Sequence, residues 1–282
     1  LFVSGCGSDK AGGIGSVVSS VVDGGSDEKA AAKLNTLIDA TNRFNGDNAT
    51  WGQNYADSLA KLKGGFQEGA IGRQPHYDTL KEALEQSKKE GSTFKEVDTE
   101  RDNVLNVLNE LVPTFKDLKA YDDSKAYMND GGAKGKELAA KYVAQVEKFD
   151  AAYAKFNDAL NKANTEQTKK QIEKLKKDGK KGYAAAMEST LRLTTLVENV
   201  EKAPKNADKQ AVEKELNEIQ TLLKSINNDR GEVLVNSYNS VVGSVRQVLT
   251  DANENNLNDM IENFNNYIES YNNTTPDQFD SK

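Results

Sequence analysis

The most readable chemistry in the chain sits at Cys6. It is the one cysteine among 282 residues. It follows Leu1-Phe2-Val3-Ser4-Gly5, an apolar run that ends in small residues. Bacterial lipoprotein signal peptides end in this way, so the pattern predicts cleavage before Cys6 and acyl chains on its sulfur and amine. Residues 1–5 then read as a signal-peptide remnant. One acyl chain holds a protein to a bilayer marginally, whereas several hold it firmly. Gly7, where Asp would retain the protein at an inner membrane, points to the outer membrane if the host is Gram-negative. A lone cysteine also rules out an internal disulfide.

Other reactive arrangements are sparse. His76 is the single histidine, which removes most nucleophile–base pairs and most transition-metal sites, and its place after Pro75 reads as a turn. The run Asp130-Gly131-Gly132-Ala133-Lys134-Gly135-Lys136-Glu137 departs from a phosphate-binding loop at both ends. The first position needs Gly and the last needs Ser or Thr. Gly13-Ile14-Gly15 lacks the third glycine of a dinucleotide fingerprint, and Asn253 to Asp259 lacks the glycine that turns a calcium loop. Asp122-Asp123 and the set Asp98, Glu100, Asp102 are the nearest paired carboxylates; as neighbours on a helix they read as solvated charge. No cofactor is expected, and no enzymatic activity.

Two stretches carry a choice of readings. Tyr142, Phe149, Tyr153 and Phe156 lie on a stripe that also holds Leu138, Val146 and Leu160, at spacings of three and four. They are either a ligand groove or the packing seam of a helix. The run from Lys169 to Lys181 is the most cationic in the chain. It suits acidic headgroups or an acidic partner, or else it is an exposed helix end.

Positioning these residues falls to helices. Four prolines in the chain, and no sustained alternation of period two, argue against a β fold. Hydrophobic residues make up 37% and charged residues 29%, a balance that suits a bundle with a high surface-to-volume ratio. The formal charge of −7 is interspersed with lysine, so nucleic acid is not an expected partner. No apolar run reaches the 18 or so residues of a membrane span.

Residues 6–26, rich in glycine and serine, read as the lipidated cysteine and a flexible tether. Helical periodicity starts at Asp27 with Leu34, Leu37, Ile38 and Phe44, and continues through Trp51, Tyr55, Leu59 and Leu62 to Gly64-Gly65. A loop is predicted from Gly64 to Pro75, then a short helix at Tyr77, Leu80 and Leu84. A longer helix runs from Phe94 to Leu118, which Pro113 should bend or split. After the 138–160 stripe come Tyr183 to Val197, Val212 to Ile226 broken by Gly231, Val233 to Ala252, and Leu257 to Tyr271. The expected architecture is all-α: an elongated antiparallel helical bundle over 27–275, a flexible N-terminal tether, and a C-terminal tail at 276–282.

Three segments extend this reading. They are Lys33-Leu34-Asn35-Thr36-Leu37-Ile38-Asp39-Ala40-Thr41-Asn42, Phe149-Asp150-Ala151-Ala152-Tyr153-Ala154-Lys155-Phe156, and Leu234-Val235-Asn236-Ser237-Tyr238-Asn239-Ser240-Val241-Val242. With Val3-Ser4-Gly5-Cys6, they make the chain resemble the YiiG-like family of bacterial lipoproteins of unknown function. The resemblance implies an all-helical exported domain and transfers no activity or site residue. The expected protein is a palmitate-bearing envelope lipoprotein that binds the membrane through Cys6 and serves as a binding or scaffold protein for an unknown envelope protein or ligand. The alternative is a carrier of a small apolar or lipid-like ligand held between helices.

Overall fold

A computed structural model describes residues 26–49, 52–72, 74–91 and 94–280. Cys6, the tether and Trp51 lie outside the described residues. The protein is an all-α helical bundle, and no strand occurs among the described residues. Its Cα packing divides it into two compact units, with the division falling after Asn164.

The first unit contains α1 (Ser26–Ala49), α2 (Gly52–Lys63), α3 (Tyr77–Lys89), α4 (Lys95–Asp123), α5 (Tyr127–Asp130) and the first part of α6 (Ala133–Lys177). Lys116 near the end of α4 meets Asp78 at the start of α3, 3.2 Å away, and Lys88 at the end of α3 meets Asp102, 2.9 Å away. These two pairs fix α3 and α4 as antiparallel. Pro113 lies inside α4, which stays a single helix. The proline costs one hydrogen bond, while Leu108, Leu111 and Leu118, all fully buried, hold both sides to the core.

The second unit contains the rest of α6, then α7 (Lys181–Lys202), a 3₁₀ turn (Pro204–Asn206), α8 (Lys209–Lys224), α9 (Asp229–Thr250), α10 (Glu254–Asn272) and α11 (Pro276–Asp280). Asp208, Asn228 and Asn253 cap α8, α9 and α10 by accepting from backbone N–H groups that have no partner within the helix. The break expected at Gly231 falls earlier, at Ser225 to Asn228, and Gly231 lies in the first turn of α9. Ser237 of α9 and Ser270 of α10 join hydroxyls at 3.0 Å, and Arg246 late in α9 reaches Glu213 early in α8. Both contacts require antiparallel neighbours.

The stretch read as a C-terminal tail contains α11. Its Phe279 is buried and stacks on Tyr183 and Tyr271, with ring centroids 5.8 and 5.9 Å away. The Asp280 carboxylate accepts from the backbone N–H of Gly182, 2.6 Å away, and of Tyr183, 3.4 Å away. It thereby satisfies donors at the start of α7. A Cβ on Gly182 would lie 2.0 Å from the Phe279 carbonyl oxygen, so only glycine admits this approach. A single aromatic residue among polar neighbours leaves no periodic trace in the sequence.

Candidate functional site

The densest convergence of polar side chains inside an apolar surround lies in the first unit. Helix α6 contributes Tyr142, Phe149, Tyr153 and Phe156, all buried. Phe149 and Tyr153 stack at 5.2 Å, Phe44 meets both edge-on, and Tyr77 sets its edge against Phe149 at 4.9 Å. Phe115 tilts against Tyr142 and Phe156 against Tyr153. The rings spend their faces and edges on one another, the arrangement that aromatic quadrupoles favour. The structure thus seats the four stripe residues in the core.

The hydroxyls gather at one side of this aromatic group. Tyr55 on α2 and Tyr77 on α3 share a hydrogen bond of 2.9 Å, and the Tyr142 hydroxyl donates to Gln74 Oε1. Gln74 belongs to the loop predicted between Gly64 and Pro75. Ser58 holds that loop by donating to the Ala70 carbonyl at 2.8 Å and accepting from the Gly72 N–H at 2.9 Å. Tyr153 donates to Asn45 Oδ1 of α1 at 3.0 Å. Burial drives the ionisation of these phenols upward. Tyr55 is pushed up to about 12, and Tyr77, Tyr142 and Tyr153 rise well above the ordinary value. At neutral pH each is therefore a neutral donor and acceptor. The set can orient a loop or a polar group, but it supplies no tyrosinate base.

The remaining residues with possible chemistry are accounted for locally. His76 is exposed and immediately precedes α3. Asp98 and Asp102 pair with Arg101 at 3.0 and 3.1 Å and so give an almost fully buried guanidinium its counter-charges. Burial opposes ionisation of Asp102, yet Lys88 and Arg101 outweigh it and hold the carboxyl below its usual range. Asp123 is bound by Lys119. In the glycine-rich run, Asp130 accepts from the Tyr121 hydroxyl and from the backbone N–H of Gly132 and Lys134, at 2.5, 2.9 and 3.1 Å. The run is a capping turn for α6. Among the described residues no His, Cys, Asp and Glu cluster suits a metal ion.

In the second unit, Tyr267 and Thr190 share a hydrogen bond of 3.0 Å, and Tyr238 donates to the Leu216 carbonyl at 2.5 Å. These links join α7 to α10 and α8 to α9, and burial together with the neighbouring Tyr267 raises the ionisation of Tyr238.

The family model described as Protein of unknown function (DUF3829) matches residues 28–259. The chain belongs to that family. No curated protein and no solved structure matches it. The matched span covers the hydroxyl group of the first unit and most of the second, and the family brings no assigned activity to either. Sequence reasoning named Tyr142 and Tyr153 but missed their partners Gln74, Tyr55 and Asn45. Those partners are distant in sequence and share no helical period with the stripe.

Proposed function

We propose that this member of the family is a lipid-anchored protein of the bacterial cell envelope, of the YiiG-like kind, acting as a non-enzymatic binding or scaffold protein. The observation that carries the proposal is Val3-Ser4-Gly5-Cys6, an acylation pattern ahead of a glycine- and serine-rich stretch. No helix among the described residues is long and apolar enough to cross a membrane, and the attachment proposed here runs through acyl chains on Cys6. In a Gram-negative host the outer membrane is the expected address. The binding role is supported by how the reactive groups are used. The tyrosines hold loops and rings in place, and Asp98, Asp102, Asp123 and Asp130 serve ion pairs or a helix cap. A carrier of an apolar ligand would need the rings around Phe149 to part, which the stacking in the first unit opposes.

Metabolic labelling with palmitate in the native bacterium tests the anchor. The full-length precursor should take up label, and Cys6→Ser should abolish it and shift the protein from the membrane to the soluble fraction. Absence of label in the parent, or unchanged fractionation of the variant, would overturn the reading. Native mass spectrometry of protein from its own host tests the carrier alternative, which needs a bound apolar mass.

A further inference from the structure

Between Lys169 and Lys181 the chain places seven lysines against two acids, Glu173 and Asp178, in a protein whose formal charge is −7. Lys169, Lys170, Lys174, Lys177 and Lys181 are exposed, while Thr168, Ile172 and Leu175 on the opposite side of α6 are buried. Lys170, Lys174 and Lys177 recur at i, i+4 and i+7, so they stand in one row on the outward face. Helix α6 then closes in an αL turn at Gly179, where the Lys180 N–H donates to the Leu175 carbonyl at 2.9 Å. That reversal brings Lys180 and Lys181 to the same end of the unit.

Local chemistry explains part of this charge. Lys176 is bound by Glu173 and Glu188 at 3.2 and 2.9 Å, and Lys180 approaches Asp277 at 3.7 Å. The helix dipole favours Lys174 and Lys177 in the last turn of α6. It does not account for Lys169 and Lys170, two turns earlier, and it disfavours Lys181 at the positive end of α7. Among the described residues Lys169, Lys170, Lys174, Lys177 and Lys181 form no ion pair.

We infer that this lysine row is an electrostatic docking surface for a bilayer bearing anionic phospholipid. Ammonium groups on long stems, one helical turn apart on an exposed face, suit a laterally mobile field of phosphates. The surrounding acidic chain confines the attraction to this end of the second unit. The inference rests on the reading of the protein as membrane-anchored and gives it a second contact with the same surface, since acyl chains and basic residues commonly act together.

The test uses full-length Cys6→Ser protein, which cannot be acylated, with vesicles of phosphatidylcholine alone or mixed with phosphatidylglycerol. The protein should co-sediment with the mixed vesicles only. It should be released when salt rises from about 0.1 M to 1 M, which shortens the Debye length from about 10 Å to 3 Å. K170Q/K174Q/K177Q should weaken partitioning by roughly fivefold per lysine, about a hundredfold in all. K141Q/K148Q/K155Q, exposed lysines elsewhere on α6, should leave it unchanged. Equal binding to neutral vesicles, no binding to mixed ones, equal loss in both triple variants, or tighter binding to duplex DNA would overturn the inference. The palmitate experiment reads the anchor without reference to these lysines, so the two readings fail separately.

Discussion

The two units solve the burial of polar atoms differently. In the first, hydroxyls and an amide are drawn inward around a group of aromatic rings, and a thirteen-residue connection between α2 and α3 is tied to them through Ser58 and Gln74. In the second, the buried face of α7 carries Ala184, Ala185, Ala186, Ser189 and Thr190 between Tyr183 and the larger Leu193 and Val197. The two hydroxyls there bond back to the Ala185 and Ala186 carbonyls at 2.7 and 2.8 Å. The strong polar pairs of that unit lie outside its core, as Arg192 with Glu215 and Glu218, and Arg246 with Glu213. Large rings need partners from several elements at once, whereas the small residues of α7 are satisfied within their own helix, with Thr190 reaching Tyr267 of α10 as well. Damage should therefore spread in the first unit and stay confined in the second.

Truncating one phenylalanine in each unit breaks or upholds that contrast. Phe149→Ala removes a ring that touches Phe44, Tyr77 and Tyr153 and should cost about 3–5 kcal/mol. Hydrogen exchange should rise across α1, α3 and α4 together. Phe279→Ala removes an equally buried ring from a five-residue helix, and faster exchange should be limited to α11, the first turns of α7 and α9 and the last turn of α10, which holds Tyr271. Exchange that spreads through the rest of α10 as well would refute the contrast.

Gly182→Ala attacks the same end of the second unit through the backbone. Its Cβ has no room beside the Phe279 carbonyl, so α11 must undock or the helix must shift, at a cost of about 1–3 kcal/mol. Limited proteolysis should then cut near residue 276 while leaving α8 to α10 resistant.

A smaller effect is expected from Tyr142→Phe, which keeps the ring and deletes the donor to Gln74. The loss should be about 1 kcal/mol in chemical denaturation, with faster exchange confined to the loop before α3. The smallest effect has a pH signature. Burial, reinforced by Glu147, holds the Asp150 carboxyl above its ordinary range. The folded state therefore keeps that proton more tightly than the unfolded chain, and stability falls as pH rises from about 4 through the raised value. Asp150→Asn removes the dependence. The variant should exceed the parent at pH 7 by less than about 1 kcal/mol, because the site is partly solvated, and match it below about pH 4. A variant less stable than the parent at pH 7 would mean that the charge is used.

Helices with a continuous apolar face were legible from residue spacing alone. Tyr142 to Leu160 on α6 and Leu216 to Leu223 on α8 keep one side buried for several turns, and that period survives in the sequence. The hydroxyl group was not legible. Tyr55, Gln74, Tyr77 and Tyr142 meet only after α2, α3 and α6 have packed, and no local rule links them. The division after Asn164 was equally silent because it falls inside a helix whose propensity continues unbroken to Lys177. Phe279 was missed for the opposite reason, being one apolar residue with no periodic companions. Pro113 does not split α4, since the core on both sides of it outweighs the lost hydrogen bond.

The turn before α6 is occupied by its own carboxylate. With glycines, lysines and backbone amides it has the makings of a phosphate cradle, yet Asp130 fills that role with an anion from the chain itself. A polyphosphate arriving there would have to evict a carboxylate of its own sign and break the Tyr121 hydrogen bond as well. The segment is thus self-plugged, and nucleotides added to the protein should pass it by.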